Sequence, residues 1–131
     1  MKKSSLILLM ILGFLSISFT SQETIWLDKN LKQTTQDKAV YYKVGKKLDG
    51  EVSYFYRSRT LFRKVFYVDG KLEGIFSEYY NTGELREVGK YVNGQRDGNW
   101  KVYYKTGKIM KKGRYSKGAK VGIWKVFYKN D

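Results

Sequence analysis

The heptapeptide Gly-Asn-Trp-Lys-Val-Tyr-Tyr at residues 98–104 decides how this chain reads. Trp100, Val102 and Tyr104 share one parity, and Lys101, Tyr103 and Lys105 share the other. Alternation with a period of two predicts a β-strand. Thr106-Gly107 then reads as a tight turn, because glycine accepts the positive φ that hairpin turns need. Ile109, Lys111, Gly113 and Tyr115 continue as a second strand. A two-residue loop places Lys105 opposite Lys108, Tyr104 opposite Ile109, Val102 opposite Lys111 and Trp100 opposite Gly113. Cross-strand partners share a face and touch, so a large indole meets a residue without a side chain.

The same heptapeptide pattern recurs. Gly50, Gly74, Gly98 and Gly122 are each separated by 24 residues, and the stretches 50–56, 74–80 and 122–128 repeat the alternation. A period of this size marks an array of one small supersecondary unit. The same counting sets Phe76 opposite Gly89 and Val52 opposite Val65: a large residue faces none, and a medium one faces a medium one. The first turn, Ser58-Arg59 within 57–60, lacks glycine and is the weakest of the set. Between hairpins the pattern is Tyr67…Gly70…Gly74…Phe76, Tyr91…Gly94…Gly98…Trp100 and Tyr115…Gly118…Gly122…Trp124, and Asp69-Gly70 and Asn93-Gly94 are strong turn dipeptides. A looser copy runs from Tyr42 through Gly45 to Gly50. Upstream, Ile25-Trp26-Leu27 and Ala39-Val40-Tyr41-Tyr42 predict a capping hairpin with the stretch 32–38 as its loop.

These residues resemble the MORN repeat, in the bacterial variant built on a Gly-x-Trp-x-x-Tyr-Tyr-x-x-Gly core, over residues 42–131. The resemblance implies an all-β fold: an elongated antiparallel meander sheet of hairpins, with no helix after Glu23. It also implies an interaction module without a shared catalytic residue set. Some members of that family are tied to membrane lipids, and several bacterial ones carry an antitoxin label.

Residues 1–21 read differently. Lys2 and Lys3 precede an almost unbroken apolar run from Leu6 to Phe19, and small residues follow up to Ser21. That is the layout of a secretory signal peptide, helical in its apolar part. The expected division is therefore a signal peptide at 1–21, a capping hairpin at 22–49 and hairpin repeats at 50–131. The chain is expected to be exported, to the periplasm, cell envelope or exterior.

After residue 21 the chain holds 24 Lys+Arg and 12 Asp+Glu, a net charge of +12, with no His and no Cys. Those absences remove the common nucleophile–base pairs and the usual metal ligand. Carboxylate pairs remain to weigh for glycosidase-type chemistry, for example Glu78 with Glu84 or Glu87. Glu84 reads as a turn acid and Glu87 as an exposed strand residue. No catalytic residue, cofactor or metal is expected; the acids before the repeat glycines (Asp49, Glu73, Asp97) lack the oxygen-ligand spacing for calcium.

One face, Val52/Phe76/Trp100/Trp124 and Tyr56/Tyr80/Tyr104/Tyr128, reads as packed between units, with carbohydrate stacking as the alternative. The other mixes aromatics and cations. Residues 98–131 contain ten Lys+Arg and only Asp131 as an acid, so 10 − 1 gives +9. Such a field favours anionic partners. The expected contacts are Lys101, Tyr103, Lys105, Lys112, Arg114, Lys125, Phe127 and Lys129. An anionic membrane surface, an acidic glycan or an acidic protein fits them; nucleic acid is not an expected partner of an exported chain. The competing readings are a solvated face, an antitoxin or immunity protein that masks a cognate toxin, and a structural envelope component.

Overall fold

The structure is a computed structural model that describes residues 21–129. The signal-peptide expectation at 1–21 falls, but for Ser21, outside the described residues. Ten strands form one open antiparallel meander: β1 (Thr24–Leu27), β2 (Tyr41–Val44), β3 (Gly50–Tyr56), β4 (Leu61–Val68), β5 (Lys71–Leu72), β6 (Gly74–Tyr79), β7 (Leu85–Val92), β8 (Gln95–Tyr103), β9 (Ile109–Ser116) and β10 (Ala119–Val126). Spatial order follows chain order, with the short β5 paired on β4 beside β6. The capping hairpin forms as β1 and β2. Its loop holds a single 3-10 turn, Gln36–Lys38, the one exception among the described residues to the expected absence of helix after Glu23.

The hairpin register agrees with the sequence count in its body and departs at the tip. Trp100 pairs with Gly113 and Val102 with Lys111, Phe76 with Gly89, and Val52 with Val65. The loop, however, has three residues, not two. Tyr104 N–H donates to the Lys108 carbonyl and Gly107 N–H to the Tyr104 carbonyl, both at 2.9 Å. Lys105 therefore does not face Lys108, and Tyr103 rather than Tyr104 pairs with Ile109. A bulge at Met110 absorbs the extra residue and returns the strands to the expected register. The tips at Tyr80–Glu84 and Tyr56–Thr60 repeat this bonding, so the first turn is tight despite lacking glycine.

That turn carries a cost. Arg59 has φ +71°, at the position where Gly83 and Gly107 have +103° and +85°. Left-handed backbone disfavours any residue with a Cβ. Arg59→Gly is expected to stabilise the protein by roughly 0.5–1 kcal/mol after the glycine entropy cost is subtracted. A lower urea midpoint for this variant would contradict the assignment.

The connections between hairpins explain the 24-residue spacing of glycine. Asp69-Gly70, Asn93-Gly94 and Lys117-Gly118 all have two successive positive φ values, the signature of the type I′ turn. Beyond the turn, Lys90 pairs with Asp97, but Val88 pairs with Lys101. Gly89 alone thus faces three residues, Gly98, Asn99 and Trp100. Gly98 begins this bulge at φ +69°, a conformation natural only to glycine. The bulge carries the Trp100 ring over Gly89: a Cβ added there would lie 2.2 Å from two indole carbons. Gly122 to Trp124 repeats the device over Gly113, with the same 2.2 Å.

The ring-over-glycine contact therefore lies on the seam between hairpins, not within one. Trp100 pairs with Gly113 but covers Gly89. At the earlier seam, where Val65 replaces the glycine, the ring is the smaller Phe76, and both are buried. The tyrosines add a second seam contact. The hydroxyls of Tyr56, Tyr80 and Tyr104 donate to the carbonyls of Tyr79, Tyr103 and Phe127 at 2.7, 2.6 and 2.8 Å. The core on this face runs from Ile25 and Leu27 through Val52, Tyr54, Phe62, Val65 and Phe76 to Trp100. No described residue after Trp100 is buried, so packing thins toward the C-terminal strands.

Candidate functional site

Antiparallel pairing lines residues up in rows across the sheet. On the open face one row runs Ser53, Lys64, Ser77, Val88, Lys101, Lys112, Lys125. Its first four members are neutral except Lys64, which is bridged to Glu51 at 3.2 Å. Its last three are all lysines on adjacent strands β8, β9 and β10. Strands lie about 5 Å apart, so three ammonium groups stand over roughly 10 Å of sheet. Directly opposed like charges destabilise a sheet. All seven ion pairs among the described residues lie within residues 23–97, and residues 98–129 contain no acidic side chain. The lysine row has no internal counter-ion.

The structure gathers most of the expected contacts around this row. Lys101, Lys112, Arg114 and Lys125 line one shallow depression of about 330 Å³. The Lys112 ammonium lies 5.7 Å from the centre of the Phe127 ring. A neighbouring depression of about 390 Å³ joins Lys101 to Tyr103, and one of about 430 Å³ joins Lys112 and Phe127 to Lys129. Lys105 is the exception. The third loop residue turns it away, and its ammonium lies 5.6 Å over the Tyr80 ring. There it supports the tyrosine seam instead of the lysine row. Ile123, 86 % exposed, lines the depression with the lysines and was not among the expected contacts. Its parity with Lys125 and Phe127 was the available signal.

The packed face carries a second row: Tyr54, Arg63, Glu78, Glu87, Val102, Lys111, Val126. Glu78 is 1 % exposed. Arg63 holds it through Nε at 2.8 Å and through a guanidinium nitrogen at 2.6 Å, and Arg86 reaches its other oxygen. Burial pulls the Arg63 pKa below the usual guanidinium value. Glu87, expected to be exposed, is largely covered. Arg96 pairs with it at 3.1 Å and stacks 4.2 Å over the Trp100 ring. Both carboxylates are therefore already committed to arginines, as in a structural ion network. Glu84 is an exposed turn acid whose carboxyl the Thr82 hydroxyl holds below the usual range, opposite to the shift a general acid needs. Burial and a 3.0 Å bond to the Tyr67 hydroxyl push the Tyr54 phenol well above its ordinary pKa. No group of three or more His, Cys, Asp and Glu among the described residues is placed to hold a metal ion.

No curated protein matches the chain. Residues 72–93 and 96–117 each match the family model described as the MORN repeat variant. The two matches cover successive units, each from the end of one connection through the next hairpin. Two successive units of this 24-residue period are thus similar to the MORN repeat variant, which supports a MORN-repeat family for the chain.

Proposed function

We propose that the chain is an exported, non-catalytic binding module that engages an anionic partner through the open face of β8, β9 and β10. The observation that carries this reading is the row Lys101–Lys112–Lys125. The free sheet bears the repulsion of three opposed ammonium groups, and a bound anion relieves it. MORN repeats typically serve as binding modules, which supports the general class. The positive start and apolar run of residues 1–21 support export. Lys101, Lys112, Arg114 and Lys125 supply charge. Tyr103 and Phe127 supply flat apolar surface beside it, suited to a ligand with an anionic group on an apolar body.

The test uses residues 22–131 with two probes, phosphatidylglycerol vesicles and polyaspartate. Each basic residue near an anionic surface contributes about 1 kcal/mol. Replacing Lys101, Lys112 and Lys125 together by Gln is therefore expected to weaken binding on the order of 100-fold at low salt. Removing the opposed charges should leave the melting temperature equal or higher. Raising the salt should weaken wild-type binding steeply. Affinity that stays flat from low to high salt, or that ignores the triple substitution, would remove this function.

A further inference from the structure

The array ends, among the described residues, on an open strand. β10 pairs with β9 on one side only. Its packed-face side chains are more open than those of the interior units, with Val126 55 % and Tyr128 85 % exposed; on the open face Ile123 is 86 % exposed, as its interior counterpart Ile75 is at 65 %. Tyr54 and Glu78, the counterparts of Val126, are buried. The open backbone edge is a template for one more strand.

The interior of the sheet specifies what that strand would carry. Every inner strand that follows a repeat glycine strand reads small–x–Tyr: Val65-Phe-Tyr67, Gly89-Lys-Tyr91, Gly113-Arg-Tyr115. Gly89 and Gly113 pair with the rings Phe76 and Trp100, Val65 pairs with Val52, and the tyrosine pairs with the repeat glycine. Trp100 is consequently flanked on both sides, by Tyr91 at 5.5 Å and 84° and by Tyr115 at 5.7 Å and 76°. Trp124 has Tyr115 on one side, at 5.1 Å and 76°. A residue paired with Gly122 would occupy the place beside Trp124 that Tyr115 occupies beside Trp100.

Charge fixes one further position. The residue opposite Lys125 extends the lysine row, and nothing acidic in residues 98–129 neutralises that row. We infer that β10 binds an acidic, extended polypeptide segment of a partner protein as an added antiparallel strand. Its motif runs acid–Gly–x–Tyr, with the acid opposite Lys125, glycine opposite Trp124 and tyrosine opposite Gly122. Main-chain bonding to an edge supplies affinity in this mode, and alternate side chains supply specificity. The inference rests on the anionic-partner reading and names its partner.

The experiment titrates residues 22–131 with the capped peptide Glu-Val-Glu-Gly-Glu-Tyr. The control is Glu-Tyr-Glu-Gly-Glu-Val, which keeps charge and composition but exchanges the tyrosine and valine positions. Backbone amide exchange across residues 119–127 is followed in both. The expected result is tighter binding of the first peptide by about threefold to fivefold, with slowed exchange confined to β10. Lys125→Glu should weaken both peptides, and a peptide with lysine at the facing acid should recover the lost affinity. Equal binding of both peptides without β10 protection overturns strand addition and leaves a basic face that binds polyanions. Failure of both peptides and of phosphatidylglycerol vesicles at low salt overturns the underlying reading as well. A concentration-dependent dimer whose β10 amides are already protected overturns the inference in favour of a second copy at the edge.

Discussion

Gly89→Val is expected to destabilise the protein by about 3 kcal/mol, the upper end of ordinary overpacking costs. A Cβ at this position falls 2.2 Å from two carbons of the Trp100 indole. The ring has nowhere to retreat. It is 1 % exposed and is boxed by Phe76 at 5.3 Å, by Tyr91 and Tyr115, and by the Arg96 guanidinium at 4.2 Å. The backbone cannot retreat either, because Gly89 is a central strand residue paired with Phe76. Gly113→Val makes the same nominal clash with Trp124. That ring is only partly buried at the edge strand, so it can swing outward, and the expected cost is about 1 kcal/mol. Urea unfolding of the two variants should therefore rank Gly89→Val well below Gly113→Val. Equal costs would mean that the buried and exposed seams are mechanically alike.

Glu78→Val should cost about 3–5 kcal/mol, the range for orphaning a buried charge. The sheet offers a direct comparison, since Val102 and Val126 occupy the same row position in the next two units. Valine fits the row; what fails is the charge balance. The Arg63 side chain is 27 % exposed and sits against the Phe62 and Phe76 rings, so without Glu78 its guanidinium is left among aromatics. Arg86 is 40 % exposed and recovers its loss in solvent, as surface charges do. Adding Arg63→Met and Arg86→Met to Glu78→Val is expected to restore most of the stability, because apolar replacement of a complete buried ion group is often neutral. A single Glu78→Val variant with an unchanged urea midpoint would contradict the burial assigned to the triad.

The architecture was legible because each hairpin advertises itself locally. Alternation marks the strands, and counting back from the turn gave Trp100 opposite Gly113 even though the loop length was misjudged, since the Met110 bulge offset the error. The seams were less legible. Their register depends on three bulge residues facing one, which no count from a turn reveals. The signal was the repeat glycine itself: a Gly that recurs inside a strand pattern marks a bulge. Lys105 was misplaced for the same reason, because one extra loop residue turned it toward Tyr80. Glu87 looked solvated since a carboxylate in a strand usually is; Arg96 reaches it, and Arg63 and Arg86 reach Glu78, only after the hairpins align. The lysine row was legible as residues but not as a row, because Lys125 and Lys101 meet Lys112 from opposite sides.

Hairpins dock by a ring set over a residue small enough to admit it. The Val65 and Phe76 seam already displays a second solution, with a larger base and a smaller ring. A double-mutant cycle of Gly89→Val and Trp100→Phe tests whether the two solutions interchange. Contacting residues couple by about 0.5–3 kcal/mol, and here the double variant should be more stable than the sum of the single effects predicts by about 2 kcal/mol. Strictly additive losses would show that the ring at position 100 and the bare backbone at position 89 do not depend on one another, and the seam mechanism would be wrong.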